Sequence, residues 1–107
     1  MADGEAALKF QVIVQDEAVL DRDRALIAFL KARIAERGEV AGDDEERLLA
    51  GVSQCLLEFE EKFDHPHRGD DQHSFFAGQL QALSWSLRCT AFAVFSGHPD
   101  FREDFRP

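Results

Sequence analysis

The spacing of apolar residues constrains this chain more than any other feature of its sequence. Apolar side chains recur every three or four positions over residues 17–37, 44–63 and 72–96, which places them along one face of a helix in each segment. Gly38 and Pro66 interrupt the pattern between these segments, because neither residue is well tolerated inside a helix. Short connections favour antiparallel neighbours, so the spacing predicts an all-α fold, a three-helix antiparallel bundle.

The apolar stripes also name the candidate core. In the first helix the stripe consists of Leu20, Leu26, Ile27, Phe29, Leu30 and Ile34. The second stripe consists of Leu48, Leu49, Val52, Cys55, Leu56, Phe59 and Phe63, and the third of Phe76, Leu80, Leu83, Leu87, Ala91 and Val94. The basic residues of the first helix are expected on its solvated side, namely Arg22, Arg24, Lys31, Arg33 and Arg37.

Additional aromatic residues make the third helix apolar on nearly all sides toward its end. They are Phe75, Trp85, Phe92 and Phe95. A helix that is apolar all round is covered by more than one neighbour, so these residues favour a central helix and a homodimer. Trp85 is expected to act as a core or interface anchor rather than as a platform for a ligand.

The charge of the chain excludes several classes of partner. Its 107 residues carry a net charge of −9 at pH 7, and the isoelectric point is near 4.7. Binding to nucleic acids or to anionic membranes depends on basic surfaces, so neither is an expected partner. An acidic surface does favour encounters with a basic protein. No apolar run approaches the roughly 20 residues of a membrane span.

The cysteines and the first residues bear on location. Cys55 and Cys89 are far apart, form no metal-binding or redox motif and lie on apolar stripes, which predicts buried thiols. Residues 1–5 contain neither a basic region nor an apolar stretch, so no signal peptide is expected there. These features predict a cytoplasmic protein.

Residues 8–15 fit two structures. Phe10, Val12 and Val14 alternate with polar residues and include β-branched side chains, as in a strand. Phe10, Ile13 and Val14 also fit the turns of a helix. A short N-terminal strand in a helical chain would have to pair with a second copy, since a lone strand is not stable.

The C-terminal tail contains the candidate binding residues. Phe101 and Phe105 are four positions apart, so one helical turn presents both rings to the same surface. His98 follows the third helix, where its ring is expected to cap the last carbonyl groups. We assign binding to His98, Asp100, Phe101 and Phe105. The tail, a short helical turn, is expected either to dock on a partner or to close the bundle.

The tail also carries a resemblance to a known family. Residues 98–103, His-Pro-Asp-Phe-Arg-Glu, and 105–107, Phe-Arg-Pro, resemble the ending of a family of small uncharacterised actinobacterial and actinophage proteins. That ending is commonly His-Pro-Asp-Tyr-Arg, two residues, Trp and often Arg-Pro. Residues 25–34, Ala-Leu-Ile-Ala-Phe-Leu-Lys-Ala-Arg-Ile, are similar to the family's first helix. The resemblance implies a helical domain over 25–107, with residues 1–24 as an extension.

This chain departs from the family pattern at the tail aromatic residues and in its cysteines. Phe101 and Phe105 stand where the family usually has Tyr and Trp. Many members carry cysteines before the last helix, and this chain has no such cluster, so any metal role of those cysteines does not carry over. The resemblance implies an actinobacterial or phage setting but no activity, because the function of the family is unknown.

A histidine-containing loop is the candidate metal site. His65, His67 and His73 lie near three aspartates, and imidazole with carboxylate suits zinc, nickel or iron. The spacing matches no defined metal motif, so a solvated polar loop is the leading interpretation and no cofactor is expected. The alternative is a metal-dependent hydrolase-like bundle that uses these three histidines.

No motif in the sequence indicates a catalytic site. The serines lie in no nucleophile-elbow pattern, and no glycine-rich phosphate loop is present. The sequence therefore favours a small acidic, non-enzymatic interaction or regulatory protein that binds a protein partner.

Overall fold

Helix-breaking and helix-capping residues set the boundaries of the fold. A computed structural model describes residues 17–64 and 71–107. The chain forms α1 (Glu17–Gly38), α2 (Asp43–Asp64), α3 (Asp71–Phe95) and a 3₁₀ turn, η1 (Glu103–Phe105). The predicted all-α, three-helix bundle is confirmed, and each helix ends within one residue of its expected boundary. The alternatives for residues 8–15 lie outside the described residues.

The four elements pack around one hydrophobic core. Each helix contacts the other two, and η1 contacts α1 and α3 but not α2. The buried apolar side chains come from all four elements: Leu26, Ile27, Phe29 and Leu30 of α1, Leu56 and Phe59 of α2, Ala77, Leu80, Leu87 and Ala91 of α3, and Phe105 of η1. The tail therefore covers the α1–α3 groove on the side away from α2.

Two ion pairs between α1 and α2 show that these helices are antiparallel. Lys31 Nζ lies 2.6 Å from Glu60 Oε1, and Arg37 Nη2 lies 2.8 Å from Glu45 Oε1. A later residue of α1 thus pairs with an earlier residue of α2, as antiparallel helices require. The hydrogen bond from Arg37 lowers the pKa of Glu45 below its ordinary value, and the hydrogen bond to Glu45 raises the pKa of Arg37.

Some residues expected in the core lie at the surface. Leu48 and Val94 are exposed, as are Cys55 and Trp85. The prediction of buried thiols was wrong for Cys55, whereas Cys89 is partly buried. Each helix of a three-helix bundle faces only two neighbours, so the edges of a broad apolar stripe stay in solvent.

None of the described helices is both long enough and apolar enough to cross a membrane.

The core is tested by shortening one fully buried side chain. Leu30 is completely buried, so Leu30→Ala is expected to lower the free energy of unfolding by about 2–5 kcal/mol. Leu57 is about half exposed, and Leu57→Ala is expected to cost less than about 1 kcal/mol. Urea denaturation of both variants measures the difference. Equal losses would show that α1 does not pack as described.

The Arg37–Glu45 pair predicts a pH dependence. Because the folded-state pKa of Glu45 is lowered, its stabilising contribution is present above the unfolded-state pKa. The contribution is lost as the pH falls through the folded-state pKa. The melting temperature of Glu45→Gln is therefore expected to lie slightly below that of the wild type at pH 7 and to converge with it once the pH is below the folded-state pKa of Glu45. A constant difference across this range would contradict the pairing.

Candidate functional site

The tail docks on its own bundle through a cluster of aromatic rings. Phe29 of α1 is at the centre of this cluster. Its ring centroid lies 6.0 Å from Phe95, 5.7 Å from His98, 6.1 Å from Phe101 and 5.4 Å from Phe105. Edge-to-face and tilted arrangements at these distances are favourable for aromatic pairs. Phe105 is only 1% exposed, so the tail supplies a core residue.

Arg33 lies beneath the tail, and its guanidinium contacts the side chains of Glu36, His98 and Asp100. Its Nη1 lies 2.9 Å from Nδ1 of His98 and 3.6 Å from Oδ2 of Asp100, and its Nη2 donates to Glu36 at 2.8 Å. The guanidinium also lies 5.1 Å from the centroid of Phe29. Arg33 is 6% exposed, so the expectation that it decorates the solvated side of α1 was wrong. Buried arginine needs such partners, since an unpaired charge in the interior is costly.

His98 shapes the turn that leads into the tail. Its Nδ1 accepts the backbone N–H of Asp100 at 3.0 Å, which assigns the lone pair to that nitrogen. The carbonyl of Phe95 is bound by the backbone N–H of His98. The ring therefore orders the turn and faces Arg33, instead of capping the last carbonyls of α3 as expected.

The structure thus brings the four predicted binding residues together against α1. Phe105 is buried, Phe101 is partly buried, and His98 and Asp100 flank Arg33. Of the two expected roles of the tail, closure of the bundle is the arrangement seen. Asp100 is the most exposed of the four at its side chain.

A second polar cluster joins α1 to α3 and was not predicted. The hydroxyl of buried Ser84 donates to Asp23 Oδ1 at 2.9 Å and accepts from Arg22 Nη2 at 3.3 Å and from Arg88 Nε at 3.2 Å. Arg22 Nε also donates to Asp23 at 3.1 Å. Burial, followed by the nearby charge of Arg22, lowers the pKa of Arg88 below its ordinary value. Exposed Trp85 lies beside this cluster, with its ring centroid 5.6 Å from the guanidinium carbon of Arg88.

The candidate metal site lies mostly outside the described residues. His65, His67 and the side chain of His73 lie outside the described residues. Within 17–64 and 71–107, no group of three or more His, Cys, Asp or Glu side chains is placed to hold a metal ion.

Five large apolar side chains are exposed on the described surface. They are Val40, Leu48, Leu57, Trp85 and Val94. Phe92 and Phe95, expected at an interface, instead pack partly against the tail and Phe29. Among the described residues, the five exposed apolar side chains thus take no part in the ring contacts around Phe29.

Comparisons with protein-family models, with curated proteins and with solved structures found no similar protein. The resemblance to the actinobacterial and actinophage family stays a prediction from residues 25–34 and the tail.

The docking of the tail predicts a large effect of truncating Phe105. Because this ring is almost fully buried against Phe29, Phe105→Ala is expected to lower the free energy of unfolding by about 3–5 kcal/mol. Asp104 pairs with Arg102 at the surface, so Asp104→Ala is expected to cost less than about 1 kcal/mol. Thermal and urea unfolding of the two variants compare adjacent positions of η1. An unchanged melting temperature for Phe105→Ala would contradict closure by the tail.

Proposed function

We propose that the chain is a small, acidic, non-enzymatic protein-interaction module whose partner docks at one end of the bundle. The supporting observation is the exposure of three large apolar side chains there. Val40 and Leu48 are each 71% exposed, and Val94 is 64% exposed. Apolar side chains that remain in solvent near one another are typical of interaction surfaces. We call these three residues the apolar end.

Topology places the three residues at the same end. Val40 lies in the loop between α1 and α2, Leu48 in the second turn of α2, and Val94 in the last turn of α3. Because α2 is antiparallel to its neighbours, its beginning lies beside the end of α3. Helical side chains lean toward the N-terminus of their own helix, so Leu48 leans toward the α1–α2 loop.

The charges around the apolar end support a basic partner. The first turn of α2 contains four consecutive acidic residues, Asp43, Asp44, Glu45 and Glu46. One of them, Glu45, is paired with Arg37, whereas the fully exposed Asp44 lies 3.9 Å from Nη1 of the exposed Arg47. An apolar contact with an acidic rim complements an amphipathic helix whose polar face is basic. The net charge of −9 would also accelerate the encounter with such a partner.

The biological setting is part of the same proposal. The two free cysteines support a cytoplasmic location, and the family resemblance supports a regulatory role in an actinobacterium or phage. Neither the apolar end nor the aromatic cluster bears on these two points.

A homodimer is proposed with one supporting observation. Trp85 is 53% exposed, and burying its side chain against a second copy would remove a large apolar surface from water. A dimer formed in this way would close the Trp85 ring to any other ligand. The acidic first turn of α2 disfavours contact between two apolar ends, because like charges would meet. Native mass spectrometry distinguishes a dimer from a monomer directly.

The metal-dependent hydrolase remains the alternative function. It depends on His65, His67 and His73, whose side chains are outside the described part of the chain. A stoichiometric mass increment of zinc or iron, lost on replacement of His67, would favour it over the interaction module.

The proposed function predicts a localised response to a basic helix. The probe is a synthetic amphipathic peptide of leucine and lysine, titrated into the ¹⁵N-labelled wild-type protein. We expect the largest amide shifts in the α1–α2 loop, the first two turns of α2 and the last turn of α3. Leu48→Asp is expected to weaken binding at least about tenfold, a loss of about 1.4 kcal/mol.

Leu57 supplies the matched control. It is another exposed leucine of α2, nine positions from Leu48 and therefore on the opposite side of the helix. Leu57→Asp adds the same charge and is expected to leave the dissociation constant within about twofold, a small surface effect. Equal weakening by the two variants, or shifts spread over the whole bundle, would show binding by net charge alone and overturn the proposal.

A further inference from the structure

Two arginines from different helices converge on one buried hydroxyl beside an exposed indole. Arg22 of α1 and Arg88 of α3 both donate to Ser84 Oγ, and Asp23 is the carboxylate bound to that hydroxyl. Arg88 Nη1 also donates to the carbonyl oxygen of Arg106 at 3.3 Å. We call Arg22, Arg88 and Trp85 the arginine–tryptophan cluster.

Both guanidinium groups keep an unused donor. Among the described residues, Arg22 bonds through Nε and Nη2, and Arg88 through Nε and Nη1. The side chain of Arg22 is 20% exposed and Arg88 is partly buried, and neither remaining nitrogen, Nη1 of Arg22 or Nη2 of Arg88, bonds to a described residue. The internal bonds therefore fix the two side chains while leaving one terminal nitrogen of each available to a ligand.

The charge of the cluster is not balanced. Asp23 is the one carboxylate hydrogen-bonded within it, against two guanidinium groups. No salt bridge joins Arg88 to an acidic side chain in the part of the chain that the structure describes. A net positive charge persists here in a chain whose overall charge is −9. An anion bound between the two arginines would offset their repulsion.

Trp85 adds an apolar surface and a further donor. Trp85 is 53% exposed, and the guanidinium carbon of Arg88 lies 5.6 Å from the centroid of its ring. Its indole N–H forms no hydrogen bond with a described residue. Guanidinium groups recognise planar or tetrahedral oxyanions through paired donors, and an adjacent ring favours a ligand with a flat apolar portion.

We propose that the arginine–tryptophan cluster is a binding site for an oxyanion, a phosphate or carboxylate group attached to a flat apolar moiety. Nη1 of Arg22 and Nη2 of Arg88 donate to the oxyanion, and Trp85 contacts the apolar moiety. Ser84 and Asp23 hold the arginines in place and do not contact the ligand. The site is independent of the apolar end.

The chain provides its own reporter for this site. Trp85 is the single tryptophan, and the sequence contains no tyrosine, so the intrinsic emission excited at 295 nm comes from this side chain. Inorganic phosphate, acetate and phenyl phosphate are titrated separately at constant ionic strength against sodium chloride. We expect a saturable change in emission with a dissociation constant of about 1–10 mM for phosphate or acetate, typical of a small exposed site. Phenyl phosphate is expected to bind at least threefold more tightly than phosphate.

The variants separate this site from general charge effects. Arg88→Gln is expected to weaken oxyanion binding at least tenfold, and Arg88→Lys at least threefold, because one ammonium group cannot serve Ser84 and the ligand together. Arg24→Gln is the matched control, since exposed Arg24 lies over Phe63 on a different side of α1. It is expected to bind as the wild type does. Circular dichroism establishes that each variant is folded, and Arg88→Lys carries the test if Arg88→Gln does not fold.

Each outcome of the titrations either supports or overturns the oxyanion site. Saturation by phosphate alone identifies a phosphate ligand, saturation by acetate alone identifies a carboxylate, and both support the oxyanion class. A response equal to that of sodium chloride, or equal affinities of wild type and Arg88→Lys, overturns the proposal. Leu48→Asp leaves this cluster intact, so failure here and failure of the interaction-module proposal are distinguished.

Discussion

The contact between Phe29 and Phe105 is the interaction on which the rest of the structure depends. Three helices leave a groove between α1 and α3 on the side away from α2, and a four-helix protein would fill it with another helix. Here a 3₁₀ turn fills it with one ring, and Phe95, His98 and Phe101 surround the same Phe29. With Phe105 in place, Arg33 can be buried, because the tail also brings His98 and Asp100 to its guanidinium. The aromatic cluster and the buried charge therefore depend on each other.

Periodicity predicted the helices but not which polar side chains are buried. The boundaries follow from Gly38 and from the break after Asp64, and the pairing of Phe101 with Phe105 follows from their spacing. Arg33 is polar, and the spacing of apolar residues predicts that polar residues of α1 face solvent. Its burial depends on a tail 65 positions away in the sequence, which no local pattern contains.

Local sequence patterns also could not predict the two candidate sites, because each depends on how distant segments pack. Asp23 and Ser84 come from helices that are distant in sequence, and only the packed bundle brings them together. Conversely, Leu48 belongs to the apolar stripe by spacing, yet it lies where neither neighbouring helix covers it. Because the tail residues close the core, the two surfaces proposed for binding are the apolar end and the arginine–tryptophan cluster. The first is apolar with acidic neighbours and the second is basic with an aromatic neighbour, so they suit ligands of opposite charge.

Closure by a distant tail has a consequence for synthesis on the ribosome. Phe29 is translated 76 residues before Phe105, its buried partner in the folded chain. At about 5–20 residues per second, roughly 4–15 s pass before that partner is even polymerised. During this interval α1 carries an uncovered aromatic residue and a guanidinium without its tail ligands. The native packing of Phe29 is thus completed only after translation of the tail.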